Sequence, residues 1–143
     1  MEQHHEHYFT MWYGVYQASS RTLRYASAGA SPALVFRSEP GTDVQVSNLA
    51  ATSPPIGMFP DTEFSSRAYP MPAGSRLLIY CDGASELPQA DDRQLRWEDF
   101  VKLTRRVAAS PTWTLDDLIA ELTGLTPSGV FEDDCSLIQL TFD

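Results

Sequence analysis

The sequence predicts an α+β fold, and three observations carry that prediction. Short runs with period-two character recur between turn signals as far as Asp82, helical spacing takes over beyond it, and one apolar run closes the chain. A chain of 143 residues can bury roughly 70% of its unfolded surface, enough for a single core without disulfide or metal staples. Residues 1–143 therefore read as one domain, with no internal repeat and no visible boundary.

Taken in order, Tyr8 to Tyr16 is rich in aromatic and β-branched residues and is predicted as a strand. Gln17-Ala18-Ser19-Ser20-Arg21 forms a hairpin loop into a second strand, Thr22 to Ala28. Ala33 to Arg37 is a third strand, closed by the turn Glu39-Pro40-Gly41-Thr42, and Asp43 to Asn48 returns. The prolines of Thr52 to Pro55 remove ladder donors, so that stretch is a connector. Glu63 to Tyr69 alternates as a strand, and Met71-Pro72-Ala73-Gly74 turns the chain into Arg76 to Cys81, the most apolar strand. Five or six strands thus precede Asp82. Beyond it, Trp97, Phe100, Val101, Val107 and Ala108 are spaced for a helix. Thr114 caps a second helix with Leu115, Leu118, Ile119 and Leu122 on its apolar face, Asp116 and Asp117 at its positive end and Gly124 as its stop. Ser136 to Phe142 is the closing strand.

Composition removes several function classes. Ten Lys+Arg against 19 Asp+Glu give a formal net charge of −9, the wrong sign for a protein that grips nucleic acid through its phosphates. The longest uninterrupted apolar stretch, Leu77 to Cys81, is far short of the roughly 18 residues a membrane span needs. Met1 to His7 carries no apolar signal core, and a cytoplasmic location is expected. Cys81 and Cys135 form no CxxC pair and read as buried thiols in strand-like runs, with a disulfide between them as the alternative.

The residues best placed for chemistry are carboxylates. Asp82 ends the most apolar strand and is followed by Gly83, an arrangement that holds an oxygen ligand on a rigid element beside a polar loop. Glu132-Asp133-Asp134 enters the closing strand as three adjacent acids, whose mutual repulsion a divalent cation would relieve. If those two strands are neighbours, their acids share a site, and all-oxygen ligands select Mg²⁺ or Mn²⁺. The bland alternatives are a common turn dipeptide and a solvated acidic turn.

Five collinear segments carry a family resemblance. They are Phe9-Thr10 with Tyr13-Gly14-Val15-Tyr16, Thr22 to Leu34 around Ala28-Gly29-Ala30, Ile56-Gly57-Met58-Phe59, Ala73 to Glu86 around Asp82-Gly83, and Asp133-Asp134-Cys135-Ser136-Leu137. Together they resemble the later part of bacterial type 2C serine/threonine phosphatases, the stage II sporulation protein E and sigma-B regulator U kind. The resemblance implies an α-β-β-α sandwich, two antiparallel sheets between helices. It also implies a metal-dependent phosphatase with two Mg²⁺ or Mn²⁺ ions, acting on phosphoserine or phosphothreonine of a regulatory protein such as an anti-sigma factor antagonist. By position, Asp82 and Asp133 match the ligands of one shared metal. Gly83 and Asp134 match supporting residues, and Glu86 matches a loop position without an assigned role. The family's setting further implies an upstream sensor or receiver domain.

The chain departs from the family pattern in two places. The family's N-terminal Asp-Gly and Gly-His-Gly segment, which supplies the bridging carboxylate, has no counterpart here, and Ala30 stands where many relatives have His. Two carboxylates and water hold a hard cation weakly, so this chain alone is expected to be inactive. A non-catalytic module that binds a signalling partner is the rival reading. Uncovered sheet edges would favour self-association.

Other candidates weigh less. His4, His5 and His7 suit softer metals but read as a polar extension. Arg105-Arg106 reads as a solvated helix face, against a contact to a phosphorylated partner, and Trp12, Trp97 and Trp113 as packing residues. Ser31 lies in no Gly-x-Ser-x-Gly elbow, and no His follows His7, which excludes a Ser-His-Asp hydrolase built on the later chain.

Overall fold

The computed structural model describes residues 7–143; His4 and His5 lie outside the described residues. Its elements are β1 (Met11–Gln17), β2 (Thr22–Ala28), β3 (Ala33–Arg37), β4 (Gln45–Leu49), β5 (Arg67–Pro70), β6 (Ser75–Tyr80), α1 (Asp82–Ser85), α2 (Trp97–Ala108), α3 (Leu115–Leu125) and β7 (Leu137–Phe142). Two sheets, ordered β1-β2-β5 and β4-β3-β6-β7, with three α-helices make the α+β class the sequence predicts. The described residues divide into two compact units, one holding residues 7–32 and 49–73, the other residues 33–48 and 74–143.

In the first unit, β1 and β2 pair antiparallel with Met11 opposite Ala28 and Gln17 opposite Thr22. A single turn of 3₁₀ helix, Ala18–Ser20, and Arg21 at φ 47° make the hairpin loop between them. Leu23, Tyr25 and Ser27 are buried along one face of β2, and Trp12 stacks on Tyr25 at 6.0 Å between ring centroids. The connector is tied to β2 by hydrogen bonds, with the Thr52 and Ser53 amides both donating to the Ser27 carbonyl, at 2.9 and 3.0 Å. Two strands of this unit differ from expectation in their boundaries. β1 starts at Met11, not Tyr8. The strand expected over Glu63 to Tyr69 is confined to Arg67–Pro70, because only Arg67 to Pro70 find partners on β2.

The second unit holds the apolar run Leu77 to Cys81, and its lack of alternation has a simple cause. β6 lies between β3 and β7, and neighbours Leu77 and Leu78 are buried on opposite faces. Leu78 and Tyr80 point into a core with Leu34, Phe36, Phe100, Leu103, Trp113, Leu118 and Leu122. Phe100 lies 4.6 Å from Tyr80 and Trp113 5.6 Å from Phe36 between ring centroids. Of the three tryptophans, Trp113 is buried while Trp12 and Trp97 are half-buried.

Each helix forms for a local reason. α2 carries Glu98 and Asp99 in its first turn and Arg105 and Arg106 in its last, matching charge to the dipole at both ends. At α3, Thr114 Oγ1 accepts from the Asp117 amide at 3.3 Å while Asp117 Oδ2 accepts from the Thr114 amide at 2.8 Å, a reciprocal capping box. α3 runs one residue past Gly124, to Leu125. Arg106 pairs with Glu121 at 2.5 Å and Arg105 with Asp43 at 3.7 Å, so both arginines belong to a salt-bridged surface. No helix among the described residues is long and apolar enough to cross a membrane.

Candidate metal centre

The β6–β7 ladder brings the acidic motifs together. Its register runs from Ser75 opposite Phe142 to Tyr80 opposite Leu137. It then continues beyond both strands, with the Cys81 amide donating to the Ser136 carbonyl at 3.1 Å. Asp82 and Asp133-Asp134 are thereby delivered to the same end of one sheet. The adjacency of strands on which a shared acidic site depends is present.

Gly83 is where the two segments meet. A Cβ built on it would stand 2.1 Å from the Asp134 carbonyl oxygen and 3.7 Å from Asp133 Cβ. The position therefore tolerates hydrogen alone, and the Asp-Gly pairing is a packing requirement as well as a turn signal. Gly29 is similar: φ is 63°, and an added Cβ would meet the Pro55 ring at 2.4 Å.

Around Asp82 the backbone makes one helical turn, α1, where the sequence predicts a polar loop. Asp82 Oδ1 accepts from the Gly83 amide at 2.9 Å, and its carbonyl accepts from the Glu86 amide at 2.8 Å. Asp133 Oδ1 likewise accepts from the Asp134 amide at 2.8 Å. Each carboxylate is thus oriented by the backbone just after it and keeps free lone pairs. Asp82, Asp133, Asp134, Glu86 and Glu132 are exposed. None of them pairs with a Lys or Arg among the described residues.

The cysteines correct an expectation. Cys81 and Cys135 are free and half-buried, not buried, and both lie outside the strands, Cys81 just after β6 and Cys135 just before β7. Cys81 Sγ donates to the Asp134 carbonyl at 3.3 Å and accepts from the Ser136 amide at 3.1 Å. Desolvation, reinforced by the nearby Cys81, raises the Cys135 thiol above its ordinary value. Sequence reasoning misses this thiol clasp, although a signal for it exists. Cys81 directly precedes Asp82, and Cys135 directly follows Asp134.

The donor set fits a hard divalent cation in kind, being two carboxylates with no competing cation. In number it is small: no group of three or more His, Cys, Asp and Glu suited to a metal occurs among the described residues. Asp82 and Asp133 would hold part of an ion's coordination shell, with water and further ligands completing it.

Comparison with known families decides the lineage, because the family described as "Stage II sporulation protein E (SpoIIE)" matches residues 1–143. The chain belongs to the stage II sporulation protein E family. Among curated relatives, the phosphoserine phosphatase RsbP of Bacillus subtilis (strain 168) is 40% identical over 80 residues, covering 56% of this chain and 19% of that protein. The RsbU and RsbW domains of Rv1364c from Mycobacterium tuberculosis superpose with a TM-score of 0.69 at 26% identity, covering 92% of this chain and 36% of that one. The phosphatase domain of SpoIIE from Bacillus subtilis, presoaked with Mn, gives 0.69 at 21% identity, over 94% of this chain and 56% of that one. The fold is that of type 2C phosphatase domains. The chain spans between 16% and 20% of the length of the curated relatives it matches.

Proposed function

We propose that this chain carries the Asp82 and Asp133 portion of a type 2C phosphatase metal centre. The protein containing it would hydrolyse phosphoserine or phosphothreonine on a regulatory protein of the anti-sigma factor antagonist kind. The observation that carries the reading is the meeting of Asp82-Gly83 with Asp133-Asp134 at one sheet end, with Gly83 packed against the Asp134 carbonyl.

When bound, Mg²⁺ or Mn²⁺ supplies positive charge that lowers the pKa of water and offsets that of the phosphate. This chain's own residues supply part of the site. Asp82 and Asp133 would present oxygen ligands from the two segments that meet at Gly83, each held by its backbone hydrogen bond. Asp134 shapes the site through its main chain, which both Gly83 and Cys81 touch. Exposure of the acids leaves them open to a phosphorylated residue on a folded partner.

Two carboxylates do not make a tight site, so the chain by itself is expected to bind Mn²⁺ at millimolar level or not at all, and to be inactive. A non-catalytic binding module is the second reading, favoured by Ala30 and the small donor set. The deciding experiment is a Mn²⁺-dependent phosphatase assay of the protein containing this chain, on a phosphorylated regulatory protein. Asp82→Asn and Asp133→Asn should each abolish turnover; full activity in both would overturn the assignment, and no activity in the unsubstituted protein would favour the binding module.

A further inference from the structure

Independently of any phosphatase activity, we propose that Cys81 and Cys135 are a peroxide-oxidisable dithiol that closes a reversible intrachain disulfide at the base of the acidic loops. The argument is geometric. Cys81 Sγ touches the Asp134 carbonyl oxygen at 3.3 Å and the Ser136 amide nitrogen at 3.1 Å, the two backbone atoms that flank Cys135. Standard bond lengths then place the Cys81 sulfur within about 5.5 Å of the Cys135 α-carbon. Cys81 stands level with Ser136. Regular alternation would send the Cys81 and Cys135 side chains to opposite faces, but both residues lie outside the strands and Cys81 Sγ is turned onto the backbone flanking Cys135, with the two α-carbons about 6 Å apart. That lies inside the usual disulfide window of about 4.4–6.8 Å. Both residues are free thiols and only half-buried, so a small oxidant reaches them, and closure requires both side chains to turn toward each other.

The chemistry balances with hydrogen peroxide as the oxidant. One thiol is converted to a sulfenic acid with release of water, and the second attacks its sulfur and expels another water. The S–S bond forms, the O–O bond breaks, and two electrons and two protons pass from the thiols to the peroxide. Closure withdraws the Cys81 sulfur from the Asp134 carbonyl and the Ser136 amide, two of the hydrogen bonds that join the Asp133-Asp134 segment to the end of β6. Neither cysteine is needed for the ladder itself, whose bonds run through backbone atoms.

The test treats the reduced chain with equimolar hydrogen peroxide, alkylates it without a reductant, and maps peptides by mass spectrometry. The expected product is one linked peptide joining Cys81 to Cys135, lighter than its reduced parts by two hydrogen atoms, monomeric on a non-reducing gel and restored by dithiothreitol. Hydrogen exchange at the Ser136 amide should speed up in the linked form. In Cys135→Ser, peroxide should instead leave Cys81 as a dimedone-reactive sulfenic acid. Two thiols that remain alkylatable, two separately over-oxidised cysteines, a link between chains, or unchanged Ser136 exchange in the linked form would each overturn the proposal.

Discussion

Gly83 and Asp134 are in contact through backbone alone: a Cβ on the glycine would stand 2.1 Å from the aspartate carbonyl oxygen. Neither partner is a flexible side-chain tip, so an added methyl can be accommodated only by separating the α1 turn from the Asp133-Asp134 loop. Gly83→Ala should therefore destabilise the chain by about 1–3 kcal/mol, in the manner of an overpacked core. A urea titration should show a lower midpoint with an unchanged slope. An unchanged midpoint would mean that the two segments are not packed as described.

That contact also separates what the sequence disclosed from what it concealed. β2 and β3 have the boundaries their patterns predict, because period-two burial and flanking turn residues act locally. Thr114 announced the start of α3 for the same reason. The strand expected from Glu63 is cut short because pairing, not propensity, ends it: only Arg67 to Pro70 face β2. The roles of Gly83 and Cys81 depend on residues more than fifty positions away, Asp134 and Ser136. No local pattern reports such a partner. The juxtaposition of Asp82 with Asp133 was legible only as a conditional, since it required β6 and β7 to be adjacent.

Alkaline pH should destabilise the protein through Tyr80. Burial in the core raises its phenol from 10.0 to about 12, against the lowering effect of its hydrogen bond from Trp97, where Nε1 donates to the hydroxyl at 3.1 Å. Since the folded pKa is the higher one, the unfolded chain loses its proton first. Stability is fully present below pH 10.0 and is lost progressively up to about pH 12. The loss assigned to this residue is about 3 kcal/mol at most. Denaturation midpoints measured across that window should fall more steeply for the natural chain than for Tyr80→Phe; parallel profiles would show that the phenol is not the group responsible.

The capping box gives a prediction confined to one helix. Thr114→Ala removes the acceptor for the Asp117 amide and the reciprocal geometry that Asp117 supports. The expected cost is about 1 kcal/mol, or a fall in Tm of a few degrees, and Thr114→Ser should restore most of it. Helical content by circular dichroism should change little, because Leu118 and Leu122 remain buried.

The last prediction asks whether Asp82 and Asp133 act on one ion. In the protein containing this chain, Asp82→Asn and Asp133→Asn each keep a hydrogen-bonding side chain of the same shape while removing a negative charge. Both positions are exposed, so stability should stay within about 0.5 kcal/mol of the unsubstituted protein. Calorimetric titration with Mn²⁺ should show each single substitution weakening binding by about tenfold or more, a loss of the size that even outer-sphere partners of a metal impose. The double substitution should cost clearly less than the sum of the two in free energy, because residues sharing one ligand are coupled. Additive losses would place the two carboxylates on separate ions, and the Gly83 contact would then be a packing feature with no part in assembling a common site.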